Sequence, residues 1–261
     1  MSAPSADHPA GPGDRQYHIG LAPGEVARGV ILVGDPARAR RFSERFSKVR
    51  VQRAHREYVT FTGDLDGREI TVMATGMGCD NTEIAVLELL HCQPDPVLLR
   101  VGSSGGLQAR LQVGDLVIST GAVRLENTSL AFVHPGFPAL AHHEVIQALI
   151  AAGRELSAPC HVGLTATAPG FYGWQGRSHP RVEPLRKDLL DDLSRMGVLN
   201  LEMETSTLLT LAMLAGVRAG AICTVFANRP TNTFIPQEAR VPAEDRALDV
   251  ASRALEMLLG E

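Results

Sequence analysis

The sequence predicts a single-domain α/β protein whose sheet is covered by helices on both faces. Short runs that are almost wholly apolar and rich in β-branched residues recur along the chain, and longer amphipathic runs fall between many of them. No internal repeat and no linker divides the 261 residues. Strands that are apolar at nearly every position belong in a sheet buried on both sides, because a half-exposed strand alternates apolar with polar residues.

In chain order, residues 30–33, 69–74, 96–101, 116–120, 161–166 and 219–226 read as strands. Asp35 followed by Pro36 is an N-cap and first-turn pair, which opens a helix through Phe46. Asp80 or Asn81 caps a second helix carrying Ile84, Ala85, Leu87 and Leu89. Residues 205–215 and 244–259 read as two more helices, and His55-Arg56-Glu57 falls in a β-hairpin region. The proline-bearing stretches 135–138 and 178–184 are surface loops, the second of them mobile. Residues 1–14, rich in Pro, Gly, Ala and Ser, form a disordered leader, and the folded domain occupies 15–261.

Composition excludes several function classes. With 44% hydrophobic and 21% charged residues the chain buries a sizeable core. It has 25 Lys and Arg against 29 Asp and Glu and no block of like charge, so nucleic acid and membrane surfaces find no electrostatic footprint. Cysteines at 79, 92, 160 and 223 form no CxxC pair, which excludes a structural zinc site and a disulfide framework and suits a reducing compartment. The N-terminus lacks a basic segment followed by an apolar one, and the longest apolar-leaning run, 205–217, is well short of the ~20 residues that span a bilayer. A cytoplasmic protein is expected.

Five segments carry chemistry. Gly34-Asp35-Pro36-Ala37-Arg38 joins a strand to a helix start, where free N–H groups and an arginine can hold an anion; alone it also reads as an ordinary turn. Arg100 ends an apolar strand before Gly102-Ser103-Ser104-Gly105-Gly106, so a buried charge there meets either an anionic ligand or a structural carboxylate. Arg56, taken alone, belongs to a solvated face. Phe171-Tyr172-Gly173-Trp174-Gln175-Gly176-Arg177 gathers aromatics, an amide and a guanidinium, which suits a planar heterocycle with adjacent donor and acceptor edges, or a surface loop anchored by its aromatics. Glu202-Met203-Glu204 precedes the apolar helix and either complements its dipole or accepts from vicinal sugar hydroxyls.

Together with Asn200-Leu201 and Asn228-Arg229, these motifs, in this order, resemble the nucleoside phosphorylase-I family, most closely its uridine phosphorylases. The resemblance runs from about Tyr17 to the C-terminal helix. It implies a central mixed β-sheet with a barrel-like distortion flanked by α-helices, in subunits that pair into homodimers and assemble further into a hexamer. It implies reversible phosphorolysis of uridine, or of a modified uridine, to uracil and ribose 1-phosphate. Gly34, Arg38, Arg100 and Ser103 match phosphate ligands, with Arg56 supplied by a neighbouring subunit. Glu202, Met203 and Glu204 match ribose contacts, and His18 crosses the dimer interface to the 5'-hydroxyl. Phe171, Gln175 and Arg177 match the base site, with Arg229 behind them, and Ile235 and Pro236 match a closing flap.

No cofactor or metal is implied for the chemistry, phosphate being a co-substrate; some relatives hold potassium at a dimer interface through the position of Glu57. Gly78-Cys79-Asp80-Asn81 replaces the family's Gly-Gly-Pro-Ser, Thr167-Ala168-Pro169-Gly170 lacks a frequent acidic residue, and Gly173-Trp174 departs from Pro-Gly or Glu-Gly. Loop 178–187 is short. These changes border the base and the flap, so a 5'-modified uridine from a biosynthetic pathway is the alternative substrate. Purine nucleoside phosphorylase or nucleosidase activity on the same fold, and a non-catalytic nucleoside-binding protein, are the other readings. Purine-specific relatives place Ser-Asp after the strand that follows the Met-Glu helix, where this chain reads Phe226-Ala227-Asn228-Arg229.

Overall fold

The computed structural model describes residue 6 and residues 9–260. In chain order the strands are β1 (Gly29–Val33), β2 (Lys48–His55), β3 (Tyr58–Leu65), β4 (Arg68–Ala74), β5 (Val97–Gly106), β6 (Leu116–Arg124), β7 (Ala139–Leu140), β8 (Cys160–Thr167), β9 (Asn200–Glu202), β10 (Arg218–Asn228) and β11 (Thr233–Phe234). The helices are α1 (Pro36–Ser43), α2 (Cys79–Cys92), α3 (His143–Glu155), α4 (Leu189–Arg195), α5 (Thr205–Ala215) and α6 (Gln237–Leu259). The expected leader lies partly outside the described residues; within it, Pro12–Asp14 form one 3-10 turn, and next to it Arg15 makes a bidentate pair with Glu25.

The strands form one mixed sheet in the order β11-β10-β6-β8-β9-β5-β1-β4-β3-β2, and β10 also pairs with β5. That second pairing closes β10, β6, β8, β9 and β5 into a five-stranded barrel, so the expected barrel-like distortion is present. The closure has a local cause. Strand β10 runs parallel to β5 from Arg218 to Asn228 with a register shift between Val225 and Ala227, and the bulge bends the strand so that Gly105 and Gly106 pair both with it and with β9.

Side-chain alternation sorts the core into two layers. In β1, Ile31 and Val33 enter the layer under α1, α3 and α6, whereas Val30 and Leu32 enter the layer under α2 and α5. In β5, Val97, Leu99 and Val101 take the first side and Leu98 the second, which puts Arg100 on the α2/α5 side. The parity of one strand thus aims a guanidinium at the start of α5.

Local signals held where they were strongest. Asp35 caps α1 by accepting from the Ala37 amide at 2.8 Å, and α5 has the expected bounds. Helix α1 stops at Ser43 rather than Phe46, because Arg45 and Phe46 bond to Phe42 and Ser43 in tightened turns. Helix α2 starts at Cys79 behind Gly78 rather than behind Asp80 or Asn81, both of which lie in its first turns. Helix α6 begins seven residues early and contains Pro242 at its sixth position, where the ring has no N–H to give the Glu238 carbonyl. Strands β5, β6 and β10 outrun their expected ends because barrel closure supplies partners beyond the apolar run.

Gly220 of β10 tests the packing. A Cβ there would stand 2.4 Å from Val145 Cγ1 of α3, a branched side chain fixed in a helix. Gly220→Ala should cost about 1–3 kcal/mol in chemical denaturation, and adding Val145→Ala should return part of the loss. Equal stability of the single variant and wild type would contradict this packing.

Candidate active site

The centre of the site is Arg100. Its Nε donates to Glu202 Oε2 at 2.9 Å and its Nη2 donates to Glu204 Oε2, with all three side chains at most 6% exposed. Burial works to push the guanidinium's pKa down, but Glu204 and Glu202 outweigh it and the net shift is upward. The room for this arrangement comes from Gly102, two residues along the same strand face: a Cβ there would lie 2.8 Å from Arg100 Nη2 and 3.0 Å from Cys223 Sγ. The sequence left open whether Arg100 meets a carboxylate or an anionic ligand; in the structure it meets two carboxylates.

Glu202 does more than pair with Arg100. Its oxygens also accept from the Glu204 and Thr205 amides and from the Thr167 hydroxyl, so it serves the N-terminus of α5 although it stands three residues before the helix boundary. Glu204 Oε1 accepts from the Gly78 amide at 2.6 Å. Gly78 has φ +97°, a conformation glycine adopts without strain, and this turns its N–H toward the carboxylate ahead of α2. Burial, with the charge of Glu202, lifts the Glu204 pKa against the opposing pull of Arg100. The Met203 carbonyl accepts from the Cys79 thiol, so the Glu-Met-Glu run and the start of α2 are joined at two adjacent points.

The remaining expected phosphate residues sit around this cluster. Arg38, buried on α1, donates through Nη1 to the Val101 carbonyl at 3.1 Å and through Nη2 to Glu244 at 2.5 Å. Among the described residues its buried Nε has no partner. Gly34 lies at the end of β1 against the Gly76 carbonyl, and Ser103 is half-buried on β5 opposite Thr224.

Arg56 is exposed at the β2–β3 turn, its guanidinium 5.0 Å from the Tyr17 ring centroid. His18 belongs to the same surface: its ring is 4.8 Å from that of Tyr17, its carbonyl meets His55 Nδ1 at 2.8 Å, and its Nδ1 pairs with Glu88 at 2.6 Å. The two residues expected to serve a neighbour's site therefore share one exposed patch. Glu57 is exposed beside them. Among the described residues no three His, Cys, Asp or Glu side chains converge as a metal set, and all four cysteines are free thiols.

The expected base residues gather beyond the end of β5. Arg177 lies over the Phe171 ring, 3.7 Å from its centroid, and its Nη1 donates to the Phe171 carbonyl at 2.8 Å and to Gln175 Oε1 at 2.5 Å. Gln175 is buried. Arg229 packs on Gly105 and its amide donates to Gly106, while its buried Nη1 has no partner among the described residues. Burial and the nearby charge of Arg229 push the Arg177 pKa down to about 10, and burial lowers that of Arg229 as well. Two desolvated guanidinium groups side by side favour an anion between or beside them.

A cleft of about 210 Å³ lined by Tyr172, Arg177, His179 and Val182 opens next to this group. A larger one, about 510 Å³, lies between the β3–β4 turn and the last turns of α6 and contains none of the expected site residues. Ile235 is buried with its amide on the Phe226 carbonyl at 2.7 Å, and Pro236 is exposed at the start of α6.

Residues that the sequence did not single out complete the polar interior. Thr167, Glu126 and Ser206 are buried and hydrogen-bonded behind Glu202, and no local pattern marks them.

Residues 28–259 match the model of the phosphorylase superfamily. A uridine phosphorylase of Thermococcus kodakarensis is 43% identical over 256 residues, covering 97% of this chain and 90% of that protein. The uridine phosphorylase of Escherichia coli is 35% identical over 248 residues, covering 93% of this chain and 98% of its own length. A guanosine phosphorylase of Halorubrum lacusprofundi is 31% identical over 245 residues, covering 94% and 97%. With near-complete coverage in both directions, the chain belongs to the phosphorylase superfamily.

Proposed function

We propose that the protein is a uridine phosphorylase, converting uridine and phosphate reversibly to uracil and ribose 1-phosphate. The observation that carries this reading is the base end of the site, where buried Gln175 bonds to Arg177, Arg229 lies near Arg177, and no acid stands in 226–229. Uracil offers two carbonyls flanking an N–H. Gln175 accepts from N3–H and donates to one carbonyl, and Arg177 donates to the carbonyl where negative charge gathers as the base departs. Asn228, within the stretch 226–229 where purine-specific relatives carry Ser-Asp, is tied into the fold: its Nδ2 donates to the Gln108 and Leu111 carbonyls at 3.1 and 2.5 Å. The relatives named uridine phosphorylase, at 43% and 35% identity, support the same choice over the guanosine phosphorylase at 31%.

The chemistry needs positioning and charge more than proton transfer. As C1'–N1 stretches, the ribosyl group gains oxocarbenium character and phosphate enters from the opposite face. In this reading Arg100, Arg38, Ser103 and the Gly34 turn hold the phosphate, and Glu204 with Met203 holds the sugar hydroxyls. Glu202 remains beneath Arg100 as its anchor. Arg100 turns from Glu204 to the phosphate while Glu204 turns to the ribose, so each substrate replaces an internal partner. Arg177 likewise leaves Gln175 Oε1 to the base and the Phe171 face to its ring, and Ile235 with Pro236 borders the site as a flap. A potassium ion has no part in this reading.

Arg56 and His18, on one exposed patch, complete the site of a second subunit. The active species is then at least a two-fold homodimer, within a hexamer, in the cytoplasm. Among the described residues no helix is long and apolar enough to cross a membrane.

Two measurements test the reading. Uracil release from uridine should require phosphate, with cytidine and inosine slower by ~10⁴-fold, because a buried polar site rejects an analogue that leaves its hydrogen bonds unmade. Faster cleavage of inosine than of every uridine tested would overturn the base assignment. Arg56→Ala and Arg100→Ala should each be severely impaired, yet co-expressed mixed oligomers should recover activity that neither has alone. Full activity in a monomeric fraction by light scattering would contradict the shared site.

A further inference from the structure

We propose that Thr167 is a positioning residue for Arg100, acting through Glu202, with Ser206 and Glu126 behind it; the proposal rests on the phosphorolysis reading above. Thr167 ends β8 and is fully buried. Its hydroxyl donates to Glu202 Oε1 at 2.6 Å and accepts from the Ser206 amide at 2.9 Å. The direction of both bonds is fixed, since a backbone N–H only donates and an ionised carboxylate only accepts.

The geometry gives the hydroxyl a specific task. Arg100 Nε and the Glu204 amide bond to Oε2 of Glu202, the Thr205 amide reaches both oxygens, and the Thr167 hydroxyl holds Oε1. With donors on each oxygen the carboxylate plane cannot swing, so the direction in which it presents Oε2 to Arg100 is set. When Arg100 leaves Glu204 for phosphate, Glu202 is the contact that stays. The orientation of its plane then decides where the two Nη groups point.

A second buried carboxylate extends the arrangement. Glu126 Oε1 accepts from the Ser206 hydroxyl at 2.8 Å, and its oxygens also accept from the Ser129 hydroxyl at 2.5 Å and the Ser129 amide at 2.9 Å. Arg124 Nε donates to the Ser129 hydroxyl at 2.9 Å. Ser206 thus joins two carboxylates, its amide through Thr167 to Glu202 and its hydroxyl to Glu126. The first turn of α5, which sets the backbone leading back to Glu204, is held from both sides. Each oxygen of the two buried carboxylates has a donor, the kind of arrangement that fixes geometry rather than merely fills space.

The test is phosphate kinetics of Thr167→Val, which keeps shape and removes the hydroxyl, beside Thr167→Ser, which keeps the hydroxyl. Thr167→Val should lose about 10- to 100-fold in kcat/KM for phosphate, with a smaller change in KM for uridine. Thr167→Ser should restore most of that loss. A purely structural role would lower the melting temperature and the active fraction, hence kcat, and leave the phosphate KM alone. Folded Thr167→Val with wild-type phosphate kinetics, or a loss that Thr167→Ser shares in full, would overturn the proposal. If Thr167→Val does not fold, Thr167→Ala decides: a raised phosphate KM supports the network and an unchanged one overturns it. Failure of the unmutated protein to cleave uridine with phosphate is a different result, which overturns the phosphorolysis reading and this proposal with it.

Discussion

The buried pairing of Arg100 with Glu202 and Glu204 is the interaction on which the rest of the site depends. An unpaired guanidinium at this depth would be severely destabilising, and two carboxylates around one cation leave an excess of negative charge. The amides at the start of α5 and the Gly78 amide offset that excess through hydrogen bonds to the same oxygens. The free site is thereby satisfied internally. At the base end the pattern repeats, with Arg177 stacked on Phe171 and bonded to Gln175. In the proposed cycle, binding is an exchange of partners at both ends, so affinity comes from the difference between a substrate contact and the internal contact it replaces.

Barrel closure is what brings these ends together. Strand β5 carries Arg100 on one face and, five residues later, reaches Gly105 and Gly106, which pair at once with β9 and β10. The glutamates begin at the end of β9 and Arg229 follows the end of β10, so both are delivered to the rim by pairing with the same glycines. Gly106 is the crowded one of the two: a Cβ there would lie 3.1 Å from Val225 Cγ1 and 3.3 Å from Leu111 Cδ1, whereas on Gly105 it would make only ordinary contact with Arg229. Ligand sites outside the carboxyl ends of strands are general in open α/β sheets, and here the curl of the sheet concentrates several strand ends at one rim.

What could be read from the sequence was what is encoded locally. Asp35-Pro36 states a helix start in two residues, and the uncharged, apolar-leaning run of α5 states burial, which holds from Thr205 to Ala212. The family was legible because six short motifs keep their order. Strand β9 was not legible, since Asn-Leu-Glu has no strand pattern and exists as a strand only because β5 and β8 flank it. Helix α4 is a seven-residue element between polar loops, too short for its periodicity to register. Thr167 and Glu126 were invisible for a different reason: the partners that give them meaning are 35 and 80 residues away in the chain. The state of Arg100 was also beyond reach, because a strand-end arginine looks the same whether a carboxylate or a phosphate awaits it.

The central claim, that Arg100 is shared between an internal pair and the phosphate, is tested most directly by a crystal structure with phosphate and a non-cleavable uridine analogue both bound. The account predicts that Arg100 keeps its Nε contact to Glu202, turns its Nη groups to the phosphate, and frees Glu204 for the ribose hydroxyls. Arg100 still held by both carboxylates, with phosphate bound elsewhere, would contradict it.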